Sequence, residues 1–321
     1  MPNRYDIAVL GATAAGYVSA LTLAAKRRSV IVLDVPGSAT ESPLGDWVPA
    51  DVFKACPALR NVRSAGTDAP FRTIRFHDAQ LRSEAAFRSR GTVGFVFRWR
   101  RMQAALDSAA RSKGVQRLRP RAPLALDLRE SDVALRVGKR TIHAALLLIA
   151  QDGPAEVLTR LRLPARSVPA GTMTLCGLDA QCPRGAAQRS LQGELHVVAL
   201  DKGSRFGMFF AAGSVLHVRI VSGQAHAPTG PEELAGLIAR AQAAGILPER
   251  LSLAKARGAI WRPPGGVALE LETHLAKRTL LVGSAGGFAS ALTGQTFDPT
   301  VRSAMVAADV AHKALRAKHP Q

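Results

Sequence analysis

The residues of this sequence best placed to do chemistry lie in short turns of glycine and alanine at the ends of apolar strands. Gly11-Ala12-Thr13-Ala14-Ala15-Gly16 follows the run Tyr5–Leu10 and precedes a helix of small residues from Tyr17 to about Arg28. A strand-to-helix turn of this kind aims backbone N–H groups and the positive end of a helix dipole at an anion, and a pyrophosphate suits it. Gly11 permits the tight turn and Gly16 permits close packing of helix on strand. Position 13, where the spacing asks for a third glycine, is threonine. A second strand, Ser29–Leu33, ends on Asp34. A carboxylate there accepts from both hydroxyls of a ribose and repels a 2′-phosphate. The same residues, taken alone, also suit a generic βα turn that binds nothing.

Two more segments share this form. Leu146–Ala150 runs through Gln151 into Asp152-Gly153, a common turn when read alone. Leu280-Leu281-Val282 stops at Gly283-Ser284-Ala285-Gly286-Gly287-Phe288, followed by Leu292-Thr293-Gly294-Gln295. Its exposed amides would reach an anion before the next helix begins.

Taken in order, the three segments resemble the FAD-dependent oxidoreductases of the aromatic-hydroxylase, geranylgeranyl-reductase and flavin-halogenase superfamily. Leu44-Gly45-Asp46-Trp47-Val48-Pro49 is similar to the loop beside the flavin in the halogenase branch. Arg98, in Val96-Phe97-Arg98-Trp99, matches a family arginine, and Asp152-Gly153 matches the Asp-Gly motif. Phe206-Gly207-Met208-Phe209-Phe210 sits where the pattern of the substrate-side sheet lies. The resemblance implies a flavoprotein with FAD as cofactor and NAD(P)H as electron donor. Gly11, Thr13, Ala14, Ala15 and Gly16 would lie at the pyrophosphate, Asp34 at the adenosine ribose and Arg98 near the phosphates or flavin. Asp152, Gly153, Gly283 and Ser284 would lie near the pyrophosphate and ribityl chain, with Gly286 and Gly287 beside the ring. Phe206, Met208, Phe210 and Trp261 would form the substrate side. The family's ribityl-binding aspartate is Ser284 here, and its proline and Glu-Gly-Ile tail become Ala291 and Gln295-Thr296-Phe297. Each departure weakens a cofactor contact. Two functions follow: an oxidoreductase (monooxygenase or reductase) for a hydrophobic or aromatic small molecule, or the same fold serving, without FAD, as a binding or accessory protein. Halogenation is disfavoured, since no Trp-x-Trp-x-Ile-Pro segment occurs. Because the isoalloxazine carries the redox step, no catalytic acid–base pair need stand out, and none does.

The elements that must position these turns follow from local pattern. Strand, turn, helix and strand fill the first thirty-odd residues, a parallel βαβ unit. Trp99 to Lys113 reads as a helix stopped by Gly114, and Val133–Val137 with Thr141–His143 as a hairpin around Gly138-Lys139. A separate buried strand, Ala144–Ala150, comes next. Alternating strands between Val168 and Gly223 suggest an antiparallel sheet, Pro231–Ala244 a helix and Thr300–Ala317 a closing helix. The reading is an α/β fold in two interleaved lobes. A Rossmann-like FAD-binding lobe takes residues 1–70, 95–165 and 275–321; a smaller antiparallel substrate lobe takes 71–94 and 166–274.

Composition sets the outer bounds. Hydrophobic residues make up 47% of the 321 and charged ones 21%, an ordinary globular balance. No apolar run is long enough to span a bilayer, and the N-terminus lacks signal-peptide layout. Three cysteines make neither a disulfide framework nor a metal pair, so the cytoplasm is expected. The eight histidines show no metal spacing, which leaves His77, His196 and His217 as strand-surface or partly buried residues. The net charge of +19 is concentrated between Asp51 and His143, with twenty Lys/Arg against eight Asp/Glu. A solvated basic surface accounts for it, as would an anionic partner such as an acidic carrier protein. Nucleic acid is disfavoured, with 5% aromatics and no binding module.

Overall fold

The structure is a computed structural model that describes residues 3–35, 42–120, 124–151, 173–182, 189, 191, 193–203, 205–223, 230–249, 251, 253 and 256–317. The chain runs β1 (Arg4–Leu10), α1 (Ala14–Ala25), β2 (Val30–Leu33), β3 (Asp46–Pro49), α2 (Asp51–Ala55), α3 (Val62–Gly66), β4 (Ala69–Phe71), β5 (Thr73–His77), β6 (Glu84–Arg88), β7 (Gly94–Phe97), α4 (Trp99–Ser112) and β8 (Gln116–Leu118). It continues through β9 (Leu124–Leu128), β10 (Val133–Val137), β11 (Arg140–Ile149), β12 (Thr174–Gln181), β13 (Leu195–Ala199), β14 (Phe206–Ala212) and β15 (Val215–Ser222). The last elements are α5 (Pro231–Ala243), β16 (Arg257–Trp261), β17 (Leu275–Ala276), β18 (Thr279–Leu281) and α6 (Phe297–Ala314).

Five strands lie parallel in the order β8-β2-β1-β11-β18, and β17 and the β9–β10 pair extend this sheet to eight strands. Their registers align Leu118, Leu33, Leu10, Ile149 and Leu281 in one row across the carboxyl edge. The residues just beyond that row are Arg119, Asp34, Gly11, Ala150 and Val282. An open parallel sheet binds ligands at this edge, where the chain leaves β1 for β2 on one side and β11 lies on the other. Both faces are covered, which explains the unbroken apolar runs of β1 and β2. α1, α4 and α6 pack on one face through Tyr17, Leu21, Met102, Leu106, Val301 and Ala308; the β9–β10 side closes the other through Leu126, Leu135 and Ile142.

α4 shows the local logic plainly. Trp99, Met102, Leu106 and Ala110 recur at helical spacing and are buried. Gly114 adopts φ +78°, and the N–H groups of Val115 and Gly114 donate to the carbonyls of Ala110 and Arg111, which ends the helix. Elsewhere the local signal misplaces an edge. α1 starts at Ala14 rather than Tyr17 because Thr13 caps it. It stops at Ala25, before Arg27 turns to φ +60°. α6 spans Phe297–Ala314 rather than Thr300–Ala317, with Pro299 tolerated in its first turn. The hairpin arm Thr141–His143 and the strand Ala144–Ala150 are one strand, β11. Its first half pairs with β10 and its second half with β1 and β18.

The second sheet has seven strands in the order β16-β12-β15-β14-β13-β5-β6, antiparallel except for β13 with β5. It is inserted between the parallel strands twice, between β2 and β8 and again between β11 and β18. α5 buries Leu234, Leu237 and Ile238 against its outer face. Its inner face carries Leu175, Met208, Phe210 and Val221 against the three-stranded sheet β3-β7-β4. Among the described residues, no helix is long and apolar enough to cross a membrane.

Candidate functional site

The turn after β1 is held by contacts that leave no room for side chains. A Cβ on Gly16 would lie 2.0 Å from the carbonyl oxygen of Gly11, and Gly11 itself sits at φ +116°. Thr13 Oγ1 accepts from the Gly16 N–H at 3.2 Å and donates to the Ala150 carbonyl at 2.8 Å. Threonine therefore caps α1 from the position where the spacing asks for glycine. Across the turn, a Cβ on Gly283 would meet that of Ala15 at 2.5 Å, so the first and last glycine turns touch. Gln151 packs over Gly11 and donates to the Val35 carbonyl at 3.1 Å, and Gln103 of α4 donates to the Ala12 carbonyl at 3.1 Å. Asp152 and Gly153 lie outside the described residues.

Asp34 stands at the end of β2, beside two arginines of the neighbouring strand. Arg117 and Arg119 donate to its Oδ2 at 2.6 and 2.7 Å, while no bond from a described residue falls on Oδ1. Burial opposes the charge of this carboxylate, but the two guanidinium groups outweigh it and hold its pKa below the ordinary value. Arg117 also reaches Asp107, which accepts from the Tyr17 hydroxyl at 2.8 Å.

The last turn is held by the Gly283 N–H, which donates to Ser303 Oγ at 3.0 Å. Ser284 is buried. Gly286 and Gly287 lack side chains for internal reasons as well: a Cβ on either would strike Phe288 or the Val267–Ala268 backbone. Gln295 Nε2 donates to the Trp47 carbonyl at 3.0 Å and so ties this turn to β3. Arg98 is half-exposed and bonded through Nε and Nη2 to Asp68.

On the second sheet, Phe206, Met208, Phe210 and Trp261 fall in one cluster on the inner face. They surround a polar group that sequence reasoning missed. Arg219, 1% exposed, lies 5.6 Å from the Phe210 ring centre and 5.5 Å from that of Trp261. It donates to the carbonyls of Gly45, Leu178 and Val218 and to Asp179 Oδ1. Asp179 also bonds His217 Nδ1 at 2.8 Å and accepts from the Gly45 N–H at 2.9 Å. Burial works against the Asp179 charge, yet His217 and Arg219 hold its pKa down at about 2. Burial also lowers the pKa of His217 despite Asp179. The ring is therefore neutral, with Nδ1–H toward Asp179, and its Nε2 lone pair has no partner among the described residues. Gly45 must be glycine because this ring lies within 2.3 Å of where a Cβ would sit.

Asp46, next in the loop, has its pKa raised to about 6 by burial, with Asp179 adding to the rise. A folded-state pKa above the unfolded one stabilises the fold at low pH, and that stability is lost as pH rises through about 6. Asp46→Asn keeps an oxygen for the Trp47 N–H, which Asp46 Oδ1 accepts at 2.8 Å. The variant is expected to be more stable than the wild type at pH 7–8, by about 1–3 kcal/mol, and to lose that advantage near pH 4. Urea midpoints across that range check it; a flat difference would remove Asp46 as the titrating group.

His77 and His196, expected at strand surfaces or partly buried, are buried and stacked, with Nε2 and Nδ1 3.0 Å apart. Burial is the main cause that lowers the His196 pKa to about 4. The three cysteines are free and buried, and no cluster of metal-binding side chains occurs among the described residues.

Comparison of the sequence with protein-family models and with curated proteins finds no match. Among solved structures, the chain is similar to a geranylgeranyl bacteriochlorophyll reductase-like protein from Thermoplasma acidophilum. The TM-score is 0.75 at 14% identity, over 99% of this chain and 80% of that one. A variant of the halogenase PltM in complex with FAD aligns at TM-score 0.72 and 15% identity, over 99% and 71%. PqsL from P. aeruginosa, in complex with 2-aminobenzoylacetate, aligns at 0.69 and 16%, over 98% and 88%. The chain accordingly shares the fold of these solved structures.

Proposed function

We propose that this chain is an FAD-dependent oxidoreductase, a monooxygenase or reductase, that acts on a hydrophobic or aromatic small molecule. The observation that carries the reading is the carboxyl edge of the parallel sheet. Gly11, Gly16 and Gly283 are packed there so closely that no side chain fits, and Asp34 stands beside them with Oδ1 unengaged among the described residues. These residues fit a dinucleotide. The start of α1, with Ala14 and Ala15, would hold the pyrophosphate, Asp34 the ribose and Ser284 the ribityl chain. When bound, the flavin would supply the redox chemistry, with NAD(P)H as donor. Phe206, Met208, Phe210 and Trp261 would seat the apolar part of the substrate and keep water from it.

One observation favours a second reading, an accessory protein on this fold: Thr13 takes the Gly16 N–H for itself, and Gln151 covers Gly11. Thr13→Gly separates the two. Loss of the cap and of the bond to Ala150 is expected to lower stability by about 1 kcal/mol. The same change opens the phosphate approach and is expected to tighten FAD about tenfold. Flavin absorbance after dialysis and calorimetric titration measure both effects. Should wild type and variant both fold cooperatively yet take up no FAD, the accessory reading stands and the oxidoreductase reading falls.

A further inference from the structure

A cavity of about 590 Å³ opens where the first turn of α4 meets the ends of β12, β15 and β16, and its wall includes Arg98, Arg100, Arg101, Asp179, Gln181 and Arg257. Four arginines thus share this wall with one aspartate among the described residues. Arg98 and Arg101 share Asp68 as partner. Arg100 and Arg257 make no ion pair among the described residues. Asp179 is the cross-strand neighbour of Arg257, but its oxygens are already taken by His217, Arg219 and the Gly45 N–H. Asp179, the one acid of the wall among the described residues, is turned inward, and Arg100 and Arg257 are left without a carboxylate among those residues. Arg98 occupies the N-cap of α4 and gives its first turn no side-chain acceptor, so the helix dipole adds to the same field. The two other cavities described, of about 630 and 480 Å³, are lined mostly by apolar side chains and carry no such field.

We propose that this cavity binds an anionic group of the substrate, a carboxylate or a phosphate, with Arg100 and Arg257 as its principal ligands. Guanidinium forks suit both oxyanions, and Asp179 of the wall is bonded to Arg219, which lies over the Phe210 and Trp261 rings of the aromatic inner face. The proposal rests on the oxidoreductase reading only in calling the ligand a substrate.

The test titrates the full chain calorimetrically with 2-naphthoate, 2-naphthyl phosphate and neutral 2-naphthol. At least one anion is expected to bind tenfold or more tightly than the naphthol, and the tighter of the two names the group. Arg100→Ala and Arg257→Ala are each expected to weaken that anion by about tenfold, the worth of one charge-assisted hydrogen bond. Arg88→Ala, on exposed β6, should leave it unchanged. Equal binding of naphthol and anions, or anion binding indifferent to both variants, overturns the proposal. So does loss of FAD rather than naphthoate or naphthyl phosphate in the two variants, which would give the cavity to the cofactor and leave the oxidoreductase reading intact. Arginine-dependent anion binding by a chain that takes up no FAD would do the reverse.

Discussion

Arg219→Ala is expected to cost about 3–5 kcal/mol of folding stability, the range for removing one partner of a buried ion pair. The guanidinium is almost wholly buried, and it joins three carbonyls and one carboxylate from three parts of the chain. Removing it leaves Asp179 buried with only His217 and the Gly45 N–H as partners. It also empties space that Gly177 is kept small to provide, since a Cβ there would lie 2.7 Å from Arg219 Cδ. Denaturant unfolding at pH 7 reads the loss, and a loss under about 1 kcal/mol would sink the assignment. The pH dependence supplies a second readout. Asp179 has its folded-state pKa at about 2, below that of an ordinary aspartate, so it contributes stability above about pH 4 that is lost as pH falls toward 2. Without Arg219 that acid-labile part should shrink. Adding Asp179→Ala to Arg219→Ala should restore part of the stability, because the stranded carboxylate goes with it.

This cluster also marks where sequence reading stops. The run Val215-Leu216-His217-Val218-Arg219-Ile220-Val221 alternates polar with apolar, the pattern of a strand with one face in water. Every residue of β15 is buried, because the polar face lies under the Gly45 loop and Trp261. The partners that pair there are far apart in the chain, 38 residues for Asp179 and His217 and 174 for Gly45 and Arg219. The register of β12 against β15 sets Asp179 opposite His217, and the loop before β3 brings Gly45 onto Arg219. The turns were legible for the opposite reason. A strand, a Gly-rich turn and a helix are local, and the geometry that makes Gly11 and Gly16 necessary acts within six residues. Asp34 stands between the two cases: its place at the end of β2 is local, whereas its arginine partners come from β8 and were invisible until strand order was known.

Those partners make Asp34 the sharpest test of cofactor binding. Asp34→Ala is expected to weaken FAD by about ten- to a hundredfold, the worth of one charge-assisted hydrogen bond to the ribose at roughly 1.5–3 kcal/mol. The bond would fall on Oδ1, since Arg117 and Arg119 both use Oδ2. Those two arginines also hold the carboxyl ionised, as an acceptor must be. A structural role for Asp34 predicts a different pattern. If the carboxylate served only to neutralise its arginines, the variant would lose stability and Arg117 would swing wholly to Asp107, with FAD affinity unmoved. Arg119→Ala separates the two effects, because Arg119 is mostly exposed and breaks one ion pair without touching Oδ1. It should leave FAD binding within a few-fold of wild type. Calorimetric titration of both variants, with denaturant unfolding alongside, decides between them: equal FAD affinity in Asp34→Ala and wild type would remove Asp34 from the ribose and leave it as a partner for Arg117 and Arg119.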